Sequence, residues 1–178
     1  MRLENFLLKQ KKTLLVQWVD VILGSYPGET ARMLRKETNQ FANPVGHAIQ
    51  TGMDGLLDEF LQKADPANMA LYLDKILRIR AVQDFSPSQS VAFIFSLKGI
   101  AREAAKDELR ENRLSPDDVH GFEARVDELA LLAFNVYMQC REKLFEVRIE
   151  EIKSKSHRLL QRARIIGDLP GPESGEER

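Results

Sequence analysis

GFEARVDELALLAFNVYMQCREKLFEVRIEEIKSKSHRLLQRARIIG, from Gly121 to Gly167, decides the fold. Between its terminal glycines it holds neither Gly nor Pro, so nothing interrupts a helical pattern of about 45 residues. Such a helix reaches about 68 Å at 1.5 Å per residue, further than a compact domain of this size covers with its own core. Phe122, Val126, Leu129, Ala133, Val136 and Cys140 alternate steps of four and three, the seam spacing of paired helices. The stripe resumes in a new phase as Phe145, Ile149, Ile152, Ser156 and Leu159, as a break in heptad register gives. The first half is broadly apolar, with Leu131, Leu132, Phe134 and Tyr137 around the seam, which suits burial on several sides. Beyond Leu144 the pattern narrows and is richly charged, and this part is expected to project. A second subunit or an output domain must then cover it. The expected homodimer interface comprises Val136, Cys140, Phe145, Ile149, Ile152 and Leu159. The competing reading is a long bundle helix packed on its own domain.

Working outward, helix starts are marked by a capping side chain followed by proline: Asn43-Pro44, Asp65-Pro66, Ser86-Pro87 and Ser115-Pro116. Gln89 stands three residues after Ser86 and can complete a capping box. Asp117 and Asp118 favour the N-terminus of the long helix. The spacing predicts six helices, at 3–25, 29–39, 44–63, 66–82, 87–112 and 116–165, and an all-α helical bundle. The first is closed by Gly24 and the Tyr26-Pro27-Gly28 turn. The fifth, with Val91, Ala92, Phe93, Ile94, Phe95, Leu97 and Ile100, is apolar nearly all round and is expected to be the most buried. No internal repeat or strand-like alternation competes.

The 178 residues fit one domain, expected at 1–166, followed by a polar, Pro- and Gly-rich disordered tail at 167–178. No apolar run approaches the roughly 20 residues of a membrane span, and the first residues lack the features of a secretory signal. A cytoplasmic protein without a membrane partner is expected. The lone Cys140 suits a reducing compartment. A net charge of −1 argues against a nucleic-acid binder. The basic stretch Lys153, Lys155, Arg158, Arg162 and Arg164 is read as solvated cations near a helix C-terminus.

Candidate chemistry is sparse. Phe95-Ser96-Leu97-Lys98-Gly99 is similar to the core of histidine phosphotransfer bundles, but Phe95 stands where the phosphoryl-accepting imidazole would be, so no nucleophile is present. His47, His120 and His157 fall on different predicted elements without a partner at ligand spacing, so no metal site is expected. A haem needs only one well-placed imidazole, but an isolated His is usually structural, and no cofactor is expected. Cys140 occupies a seam position and is read as packing rather than redox sensing. The densest polar cluster is Arg78, Arg80, Gln83, Asp84 and Ser86, whose guanidinium groups could clamp an anionic ligand. The alternative is an internal tie, in which an arginine pairs with Asp84 or with carbonyls at the helix end. Arg78, Arg80, Asp84 and His47 are the candidate ligand-binding residues.

Trp18, Tyr26-Pro27, Phe41-Ala42-Asn43-Pro44-Val45-Gly46 and Arg78-Ile79-Arg80-Ala81-Val82-Gln83-Asp84-Phe85-Ser86-Pro87 together resemble the N-terminal domain of RsbRD-type co-antagonists of the bacterial stress-response kinase RsbT. The resemblance spans about residues 10 to 155, and the arginine-to-proline segment is its most specific part. It implies a globin-like but haem-free sensory domain of the stressosome, dimeric, whose last helix normally leads into a STAS domain. No STAS sequence follows here, so a free-standing regulator is expected.

The chain offers no activated nucleophile, paired catalytic carboxylates or phosphate-cradling glycine loop, and is read as non-enzymatic. The expected function is a sensory or regulatory module that binds a signal or partner and transmits it through a dimeric long helix. The alternative is a scaffold or assembly subunit docking through that helix.

Overall fold

Four proline-marked helix starts organise the observed architecture, and each is capped by the side chain before its proline. The computed structural model describes residues 3–36, 39, 41–63, 65–83 and 85–167, with side chains as far as residue 163. Asn43 Oδ1 accepts the Gly46 amide at 2.9 Å and Asp65 Oδ1 accepts the Ala67 amide at 2.8 Å. Ser86 and Gln89 form the full reciprocal box, with Gln89 Oε1 accepting the Ser86 amide at 3.0 Å. Ser115 and Asp118 form a second one, each side chain accepting the other's amide at 3.1 Å. Proline at the first helical position loses no hydrogen bond, and the cap satisfies an amide that would otherwise be orphaned.

All described regular structure is helical: α1 (Leu3–Lys9), α2 (Lys11–Gly24), α3 (Gly28–Lys36), α4 (Pro44–Leu61), α5 (Pro66–Val82), α6 (Pro87–Ala104), α7 (Lys106–Arg110) and α8 (Pro116–Gly167). The fold is an all-α bundle with a long C-terminal helix, as the spacing predicts. Two predicted helices are each divided. The first breaks at Gln10, whose amide bonds the Leu7 carbonyl three residues back. The fifth breaks at Ala105, and α7 is followed by a left-handed residue, Asn112 (φ 55°), with the Arg113 amide returning to the Glu108 carbonyl. Neither break carries a Gly or Pro, so the spacing alone did not reveal them.

The chain forms two compact units, Met1–Arg141 and Glu142–Arg178. In the first, α4 packs on α5, and α2 lies against both α4 and α6. Trp18 of α2 is fully buried, and its indole N–H donates to the Phe93 carbonyl of α6 at 2.8 Å. The close approach of α4 to α5 depends on Gly55, where a Cβ would stand 2.1 Å from the Tyr72 ring. The opening half of α8 closes the core: Phe122 meets Phe60 edge-on at 5.5 Å, and Lys98–Asp127 and Arg102–Glu123 pairs tie α8 to α6. The expectation that the fifth predicted helix is the most buried is corrected. Helix α4 buries eight of its 18 residues and α6 six of 18, because Ala92 and Phe95 face solvent.

In the second unit, α8 continues with every residue from 142 to 163 exposed except the half-buried Leu144. Its described polar contacts include Lys153 with Glu150 at 3.3 Å and Gln161 with His157 at 3.0 Å, each within four residues along the helix. The expected tail lies outside the described residues from 168 onward, as does the Arg164 side chain. No described helix is long and apolar enough to cross a membrane.

Candidate functional site

The last turn of α5 places Arg80 between the end of α2 and the start of α6, 1% exposed. Its Nη1 donates to Ser25 Oγ and its Nη2 to the Gln89 carbonyl, each at 3.0 Å. The guanidinium lies 4.0 Å from the centre of the Phe85 ring and 5.4 Å from that of Tyr26, and the two rings meet edge-on at 5.2 Å. The Tyr137 hydroxyl of α8 donates to the Phe85 carbonyl and so pins the segment carrying that ring.

The hydrogen bonding of this cage is incomplete. Arg80 Nε, the Tyr26 hydroxyl and the Ser90 hydroxyl are buried without a hydrogen-bond partner. The Arg80 guanidinium and the Tyr26 phenol nevertheless lie within reach of a loose side-chain hydrogen bond, in addition to acting on each other electrostatically. No described carboxylate forms an ion pair with Arg80. Burial pushes its pKa down, opposed by the Tyr26 and Tyr137 phenols, and burial pushes the Tyr26 pKa up. Beside the cage opens a shallow cavity of about 420 Å³, lined by Ser25, Tyr26, Pro27, Thr30, Gln83, Phe85 and Gln89.

Of the arginine cluster, the structure brings Arg80 and Gln83 to this place but not Arg78. Two residues apart on a helix are about 200° apart around it. Arg78 is accordingly exposed and pairs with Asp74, four residues back, at 2.5 Å. Asp84 lies outside the described residues. Arg80 does bond a main-chain carbonyl, that of Gln89. Half-buried His47 lines a separate cavity of about 270 Å³ bounded by α2, α3 and α4, with Leu15, Leu23 and Leu34 as apolar walls and an Asp20–Arg35 pair at its edge. Among the described residues no three His, Cys, Asp or Glu side chains gather to hold a metal.

The interface candidates divide in two. Val136 and Cys140 are buried in the core of the first unit, and Cys140 Sγ lies 3.5 Å from Asp74 Oδ1. Phe145, Ile149, Ile152 and Leu159 are 50–65% exposed. Two exposed apolar residues of the first unit, Leu131 and Met138, share their spacing: Leu131, Met138, Phe145, Ile152 and Leu159 recur every seven residues. Leu131 stands two residues from both Leu129 and Ala133, hence on the opposite side of the helix from the buried stripe. The apparent change of phase is therefore two overlapping stripes, one buried and one exposed. Counting back by sevens from Phe145 finds the second in the sequence.

The RsbT co-antagonist protein rsbRD N-terminal domain family matches this chain over residues 12–152. The chain is also similar to an uncharacterized protein of Archaeoglobus fulgidus, 28% identical over 142 residues that cover 79% of this chain and 83% of the relative. No solved structure matches.

Proposed function

The chain belongs to the RsbRD N-terminal domain family, and on that premise we propose that it is a non-enzymatic regulatory protein of stressosome type. In this reading a signal or partner is received in the helical core and passed on through the long helices of a homodimer. One observation carries the proposal: Leu131, Met138, Phe145, Ile152 and Leu159 are all exposed and recur at seven-residue intervals on α8. A repeat of seven keeps a seam aligned between two helices that wind around each other, whereas a solitary solvated helix has no use for it. Beyond Leu144 charged residues stand between these positions, among them Arg148, Glu150, Glu151, Lys153 and Lys155, as suits the outside of a helix pair.

Two aligned helices also supply what a signal needs, a contact with more than one discrete setting that a ligand in the core can bias. The test is sedimentation equilibrium of the full chain. A dimer is expected, with Ile152→Glu shifting it to monomer while helicity in circular dichroism stays unchanged. A wild-type monomer at high concentration overturns the reading. A dimer whose inter-helix distance between spin labels at position 155 never responds to any stimulus favours the scaffold instead.

A further inference from the structure

We propose that the cleft beside Arg80 binds a small organic monocarboxylate, whose charge is neutralised by Arg80 and whose apolar body rests against Tyr26, Pro27 and Phe85. A guanidinium 1% exposed, with no described carboxylate paired to it, retains much of the penalty of leaving water. Ring faces and a neutral carbonyl relieve it only in part. An anion relieves it directly, through charge-assisted bonds about twice as strong as neutral ones.

The local chemistry leaves room for that exchange. Ser25, an acceptor for Arg80, itself lines the cavity, and its hydroxyl already donates to the Ile22 carbonyl at 2.6 Å. Displaced from Arg80 by a carboxylate, Ser25 keeps that bond. Tyr26 lines the same cavity, and its buried hydroxyl, which can only accept from the neighbouring Arg80, keeps its own proton free to donate to the second carboxylate oxygen. Charge selects the ligand class: no cation is among the described residues that line the cavity, and Arg80, held just behind the lining residues Ser25 and Gln89, supplies a single positive charge once Ser25 is displaced. A monocarboxylate matches it, while a phosphate dianion would leave charge uncompensated in a low-dielectric site. Proline and aromatic walls favour an aliphatic or aromatic body, and Thr30 and Gln83 in the same lining can read a polar substituent. The proposal does not depend on the homodimer reading, since every group it uses lies within the first unit.

Thermal unfolding and calorimetric titration of the full chain with sodium butyrate, benzoate, phosphate and chloride, at matched pH and ionic strength, test it. Saturable stabilisation by butyrate or benzoate, absent with phosphate and chloride, is expected, because a ligand that binds only the folded state raises its stability by mass action. Tyr26→Phe keeps the ring and should weaken binding several-fold; Arg80→Lys should abolish most of it. If Arg80→Lys does not fold, Tyr26→Phe decides. Equal stabilisation by all salts, no saturation, or unchanged binding in Tyr26→Phe overturns the proposal. Asp84→Asn separates an internal counter-ion from a ligand. Equal benzoate binding in wild type and Asp84→Asn supports the site, whereas binding that appears only in Asp84→Asn overturns it.

Discussion

Trp18 donates its indole N–H to the main-chain oxygen of Phe93 at 2.8 Å, and the two rings lie 5.9 Å apart. This contact ties α2 to α6 through a buried side chain, within the wider packing of the two helices. Trp18→Phe removes the donor and part of the ring volume in a fully buried place. It should destabilise the fold by about 2–4 kcal/mol, from a buried hydrogen bond together with a partial cavity. Urea unfolding followed by circular dichroism measures this, since Trp18 is the sole tryptophan. A loss below about 0.5 kcal/mol, the size of an ordinary surface change, contradicts that role for the contact.

The seven-residue series predicts that Leu131→Glu weakens self-association although Leu131 precedes the exposed half of α8 and was not among the sequence-based interface residues. Val16→Glu, on α2 and also exposed, should leave association unchanged. Concentration-dependent light scattering of the two variants compares them. Equal behaviour would confine any interface to the residues beyond 142.

Glu4 gives a pH dependence of known sign. Burial pushes its carboxyl up, but its own backbone amide, Lys63 and Arg125 outweigh that and hold it below the ordinary value of 4.5. A depressed folded pKa means that Glu4 contributes stability above its unfolded pKa and loses it as pH falls through the folded value. The advantage of wild type over Glu4→Gln should therefore be full at neutral pH and shrink below 4.5. Melting temperatures of both proteins across the acid range read it out, and a difference that grows on acidification reverses the assigned sign.

Helix caps offer a graded check. Ser86→Ala and Ser115→Ala each open a reciprocal box and should cost about 0.5–2 kcal/mol. Ser154→Ala, in the exposed interior of α8, should be neutral or slightly stabilising, since alanine is the better helix former. Chemical denaturation of the three variants ranks them, and indistinguishable losses would remove the caps from the account.

Helix starts were legible because a cap followed by proline is a local signal, chemically complete within four residues. Helix breaks at Gln10 and Ala105 were not, because tertiary packing there overrides residues that read as continuous helix. The apolar periodicity of α8 was legible too, but its two stripes merged into one apparent phase shift until exposure separated them. Arg80 and Arg78 are adjacent in the sequence cluster, yet helix geometry sends them apart, one into an aromatic cage and one to solvent. His47 likewise joins a different cavity from Arg80, since only the folded path of α2, α3 and α4 decides which walls it shares.

Cys140, the chain's lone thiol, sits in the core of the first unit at 5% exposure. Maleimides and aromatic disulfides reach it only when the packing of α8 against its neighbours opens, so the rate of its alkylation is a clock for that opening. A cysteine introduced elsewhere on the exposed helix can be labelled first and selectively, with the native thiol left as an internal gauge of whether the body beneath has stayed closed.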